Sequence, residues 1–201
     1  MVNTLMVAAL FLAASVDTPT NGDAPVVIKE IVSLTDGYHR AGCWHPFEVV
    51  LLSSKGFEGE LHLEGEGADI AVRVHLQPGK ETSALIPFPG GRSGEGIVVR
   101  LRASDAVVAE RRYEGRLTLL GERELLVGVG GGRARMEEVE REWKEQEPTW
   151  KFFAVKAEQV AAFPDVALDG VDALVHDGKE FAGTGWRLRG GVVLSSTEFR
   201  E

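Results

Sequence analysis

A chain of 201 residues is long enough to bury a sizeable core, as one large or two small domains. A formal net charge of -9 and an isoelectric point near 5.1 exclude the concentrated basic surface that phosphate backbones require, so no nucleic-acid partner is expected. The single cysteine, Cys43, excludes an intrachain disulfide and any metal cluster built from cysteines alone.

The first segment, MVNTLMVAALFLAASVDT, carries an apolar block from Leu5 to Ala14 followed by small and then polar residues. About ten apolar residues are too few to span a hydrocarbon core of about 30 Å as a helix, so no transmembrane helix is expected there. Residues 1–16 read instead as a secretory signal peptide cleaved around Ala13 to Ser15, with Asp17 to Pro25 as a linker. No Lys or Arg precedes the block, and a buried N-terminal strand or helix is the alternative. The signal peptide implies export, to the periplasm or the extracellular space.

From Pro25 to Leu120 the pattern is strands and turns. VVIKEIVSL from Val26 and HPFEVVLLSS from His45 read as strands, and GELHLEG and DIAVRVHL alternate with the period of two that marks one buried and one wet face. ETSALIPF, GIVVRLRA and VVAERRYEGRLTLL continue the series between glycine-, proline- and aspartate-rich turns. About seven strands in this span point to an immunoglobulin-like β-sandwich over residues 25–120. His62 and His75 fall at outward positions and are expected to be solvated.

The segment DGYHRAGCWHPF, Asp36 to Phe47, holds the densest set of chemistry-bearing residues. His39, Cys43 and His45 are the types that ligate zinc or copper, with Asp36 or water as a fourth ligand, although a free cysteine is more often a small buried hydrophobe. The acidic residues Glu60, Glu64, Glu66 and Asp69 lack the spacing of a calcium loop and read as a solvated turn. Arg100, Arg102, Arg111 and Arg112 read as one wet sheet face balanced by Glu110 and Glu114.

Beyond Leu120 the periodicity changes. ELLVGVGGGRARMEEVEREW is an apolar run ending at Val129, a glycine cluster, and a segment in which Met136, Val139 and Trp143 recur at spacings of three and four, predicting strand, loop and helix. WKFFAVK, VDALVHDG and GGVVLSS predict three more strands, so residues 123–201 read as a small or partial α/β domain with a parallel sheet. An open sheet of that kind binds ligands at the carboxyl ends of its strands, which places Gly130, Asp177 and Ser195 as the candidate ligand site. The glycines do not complete G-x-G-x-x-G, because Arg133 stands where the last glycine belongs, and a Walker lysine is missing. No catalytic residue and no cofactor is assigned.

DGYHRAGCWHPFEVVLL (Asp36 to Leu52), then ELLVGVGGG, AAFPDVALDGVDALVHDG and WRLRGGVVLSS, resemble bacterial envelope proteins that join an immunoglobulin-like sandwich to a class I glutamine amidotransferase-like, flavodoxin-like domain. Such proteins often carry a further α/β portion and a C-terminal membrane helix, so the resemblance implies a truncated gene product, a fragment or a reduced family member. Amidotransferases of this fold use a cysteine at a strand-to-helix elbow; Cys43 lies in the sandwich, and no catalytic residue carries over. The reading that follows is a non-catalytic exported interaction or scaffold module acting with another envelope protein. The alternatives are a ligand-binding or degenerate amidotransferase-like enzyme domain, and a metal-binding sandwich.

Overall fold

The computed structural model describes residues 26–91, 96–156, 169–176 and 192–195. Within them the protein is rich in β-sheet and has one short helix. The predicted signal peptide and linker, the connection from Phe163 to Leu168, and Asp177 lie outside the described residues.

Two antiparallel sheets form the front of the chain. One has the order β1 (Val26–Ser33), β3 (Trp44–Ser53), β6 (Glu81–Pro89); the short β2 (Tyr38–His39) lies between β1 and β3 in sequence. The other has the order β5 (Ala68–Leu76), β4 (Phe57–Gly65), β7 (Val98–Ala103), β8 (Ala106–Arg112). Their inward residues meet in one apolar core. Phe47, Val49 and Leu51 of β3 and Leu61 and Leu63 of β4 are each fully buried, at alternate positions of their strands. Burying each such side chain contributes about 1.5–3 kcal/mol, so this core is what makes the period-two pattern fold. β7, beside β4 in the same sheet, adds Val99 and Leu101.

A two-residue parallel pairing of β2 with β9 (Thr118–Leu119) draws the end of the front region back against its beginning. Gly37 makes the crossing feasible. It has φ +85, and a Cβ there would lie 2.1 Å from the Arg116 carbonyl oxygen, so only glycine fits.

The remainder is a parallel sheet of order β11 (Trp150–Val155), β10 (Leu125–Gly130), β12 (Ala173–His176), β13 (Val192–Ser195). Helix α1 (Arg133–Trp143) connects β10 to β11 and covers one face, packing Met136 and Val139 against Val127, Val129, Phe152 and Val175. Trp143 at its end stacks on Trp150 with ring centroids 5.2 Å apart. The opposite face puts Leu126, Phe153, Val155 and Leu174 against Leu120, with Tyr38 of the front region packed beside them. A parallel sheet needs cover on both faces. Residues of the front region supply part of it.

Candidate functional site

His45 is the most constrained polar side chain in the front region. It shares the inward phase of Phe47 and Val49, so the strand carries it into the interior, where it is 3% exposed. Its Nε2 lies 3.0 Å from Ser33 Oγ and its Nδ1 3.0 Å from Thr35 Oγ1. The Thr35 hydroxyl donates to the Tyr38 carbonyl at 2.6 Å, so its oxygen is left to accept from the ring. This accounting puts the proton on Nδ1 and makes Nε2 the acceptor for the Ser33 hydroxyl. Ser33 Oγ in turn accepts from the Gly37 amide at 2.7 Å and is bonded to the Tyr113 hydroxyl.

A serine on histidine Nε2 with a hydroxyl on Nδ1 has the outline of a nucleophile and its base. The surroundings do not favour that chemistry. Burial, with the neighbouring His39 adding to it, lowers the pKa of His45 to about 3, so the ring does not take up a proton at neutral pH. Ser33 is itself buried and its oxygen already serves other donors. The cluster satisfies buried polar groups and fixes the Ser33–Tyr38 turn against β3.

His39 lies edge-on to His45, with ring centroids 5.8 Å apart, and its Nε2 donates to the Gly91 carbonyl at 3.2 Å. Its Nδ1 is buried without a hydrogen-bond partner among the described residues. Both rings line a small recess of about 10 Å³ with Phe47, Phe88, Ile97 and Leu117. Cys43 points elsewhere, with its Cβ close to Gly170. Burial raises its thiol pKa, Asp169 and Asp172 add to the rise, and Arg40 opposes it. Both nitrogens of His45 are committed, and His39, Cys43 and His45 are not brought within shared coordination reach of one another.

Among the described residues, the groups whose ligand atoms do converge are His62, Glu64 and Asp69, within 4.8 Å of one another. Here the expectation of a solvated His62 is corrected: the side chain does face outward, yet it is only 8% exposed. Asp69 Oδ1 approaches its Nδ1 at 2.9 Å and Glu60 Oε2 its Nε2 at 3.4 Å. Asp69, on the neighbouring β5, lies diagonal to the ring, and Glu60 stands two residues before His62 on the same face of β4; together they cover it, and the cross-strand part is not revealed by alternation along one strand. Glu64 is held by Arg100 and by Arg102, the latter at 3.0 Å, and Arg100 also reaches Glu110 at 2.7 Å. Two guanidinium groups on one carboxylate oppose a cation, and the set reads as a charge network across the sheet. His75 is exposed.

Gly130 ends β10, and Ser195 ends β13 opposite His176 of β12. Both lie at the carboxyl end of the parallel sheet with β12 between them, hence about 10 Å apart across two strand spacings. Gly131 and Gly132 follow with φ of +93 and +84 and lead into α1. The first turn of α1 has no side-chain cap and no acidic residue; Arg133 and Arg135 stand there and pair with Glu137 and Glu138 along the helix.

The joint between the two sheet systems was not visible in the sequence. Arg40, just after β2, donates from Nη1 to the Gly121 carbonyl at 3.3 Å and from Nη2 to the Glu124 carbonyl, and its Nη2 lies 2.5 Å from Asp172 Oδ2. The same Asp172 oxygen accepts from the Leu126 amide at 2.8 Å, and the Asp172 amide donates to the Leu126 carbonyl at 3.0 Å. One guanidinium group therefore gathers the start of β10 and the approach to β12. Glu124 is further fixed by Lys151 at 3.4 Å, and its carboxyl is held below the usual range, chiefly by the Gly121 amide. No helix among the described residues is long and apolar enough to cross a membrane. No protein-family model matches the sequence, and no curated protein is significantly similar to it.

Proposed function

We propose that the protein is a non-catalytic, exported module of the bacterial envelope, in which an immunoglobulin-like sandwich (residues 25–120) and a partial flavodoxin-like domain (residues 123–201) present one combined surface to another envelope protein. The observation that supports this best is the Arg40 clamp, which ties the front sheets to the parallel sheet through Gly121, Glu124 and Asp172. A fixed relation between two units matters when a partner touches both. The test is affinity capture from cross-linked envelope extract with the intact protein and with Arg40→Ala. One partner recovered by the intact protein, and weakened by the variant, supports the reading; consistent recovery of none removes it.

A second reading is a ligand-binding domain at the carboxyl end of the parallel sheet. It is favoured by the strand order: the chain leaves β10 toward β11 on one side and returns to β12 on the other, and the crevice at such a reversal is where open α/β sheets hold ligands. Gly130 and the uncapped start of α1 border that crevice, and Ser195 lies two strands away. Calorimetric titration with inorganic phosphate and nucleotides tests it. Heat that disappears in a Gly131→Val variant supports it; no heat with the intact protein ends it for these anions.

A further inference from the structure

β1 is an edge strand that pairs with β3 alone. A bulge between Ile28 and Glu30 divides it. Upstream, Arg111 closes the free side by donating to the carbonyls of Ile28 and Lys29. Downstream, from Glu30 to Val32, no described residue hydrogen-bonds to the backbone of that side. This stretch and Ser33 form one wall of an open groove of about 520 Å³, and Arg111 to Arg116 form the other.

An unpaired row of amides and carbonyls beside a groove is the structure that accepts an added strand. The facing wall narrows the choice of strand, because it carries three guanidinium groups, Arg111, Arg112 and Arg116, against one carboxylate, Glu114. Arg111 is engaged with β1, whereas the guanidinium groups of Arg112 and Arg116 have no hydrogen-bond or ion-pair partner among the described residues. Of the remaining acids, Asp36 at the groove's end is met by Arg133 at 3.9 Å, and Glu30 belongs to the β1 wall. Ile31, packed against the front core, and Val32, on the opposite face of β1, are half-buried there, so an incoming strand meets one apolar neighbour on each of its faces.

From these features we infer that the groove takes an extended acidic segment of a partner protein, added to β1 as an extra strand with its carboxylates directed at Arg112 and Arg116. This deepens the interaction reading above and rests on it. The probe is a fluorescent peptide of about ten residues alternating Thr and Glu, titrated into the full chain beside Thr–Gln and Thr–Lys peptides of equal length. The Thr–Glu peptide is expected to bind most tightly, to slow amide exchange at Glu30 to Val32, and to weaken about tenfold in R112E/R116E, where like charges oppose it. Equal binding of all three peptides, protection elsewhere than β1, or indifference to R112E/R116E overturns the assignment; the melting curve of the variant shows that it is folded, and the exchange measurement needs no variant. Envelope capture separates the two levels. A partner recovered equally by the intact protein and R112E/R116E sinks the groove and leaves the interaction reading standing, whereas tight Thr–Glu binding with no envelope partner does the reverse.

Discussion

The front sheets and the parallel sheet use polar residues in opposite ways. In the front, the residues with most chemical potential are drawn inward and consumed by one another: His45 between Ser33 and Thr35, His62 between Glu60 and Asp69. In the back, the interior of the described sheet is apolar, with Val127, Val129, Leu126 and Leu174 buried, and the turn at the end of β10 is glycine backbone with no capping side chain. The difference teaches that a dense set of His, Cys, Ser and Thr is weak evidence for a site when the strand period turns it toward the core. Unsatisfied backbone at strand ends and sheet edges is the better guide to binding.

The largest expected effect breaks the front region through protons. Because the folded pKa of His45, about 3, lies below its ordinary value of 6.5, the unfolded chain takes the proton first. The stabilisation is complete above about pH 6.5 and is lost as pH falls toward 3, a change on the order of 5 kcal/mol at about 1.4 kcal/mol per pH unit. Urea midpoints measured from pH 7 to pH 4 should fall along that slope, and His45→Gln should flatten it; an equal slope in the variant assigns the protons elsewhere.

Next in size, Phe47→Ala should cost about 3–5 kcal/mol, since the ring is fully buried and packs edge-on against both His45 and Tyr113. Denaturant unfolding followed separately by Tyr113-region and Trp143/Trp150 probes shows whether that loss stays in the front or spreads. Spread is expected if the Arg40 clamp couples the two regions. Arg40→Ala should itself cost about 1–3 kcal/mol, the range for charge-assisted bonds of a partly buried group, and should pull the two unfolding transitions apart. Coincident transitions in that variant would show that the apolar contact of Tyr38 and Leu120 suffices. Smaller still, Gly132→Ala should cost about 1–2 kcal/mol for forcing a side chain to φ +84, read as lost helix signal at the first turn on heating. Last, Cys43 should alkylate more slowly in the folded protein than in urea, because burial raises its thiol pKa and lowers the share of thiolate.

Much of the fold was legible in the sequence. β4 and β5 follow the alternation of Leu61, Leu63, Val74 and Leu76, and α1 follows Met136 and Val139. β2 and β9 escaped because two-residue strands carry no period. His45 was readable in principle, since it stands two residues before the inward Phe47. Its partners were not: Ser33 and Thr35 sit across a turn, and only the bulk of Gly37's surroundings dictates how that turn closes. The joint is the clearest case. Arg40 and Asp172 are separated by 132 positions, and no local pattern connects them.

That separation orders assembly in time. A contact across 132 positions closes one of the longest loops in the described chain, and such contacts form late because the chain entropy they restrict must first be overcome. During synthesis, every strand of the front core is available before Asp172 exists. Arg40 can therefore meet the Gly121 and Glu124 carbonyls first, and Asp172 is the last of its partners to be made.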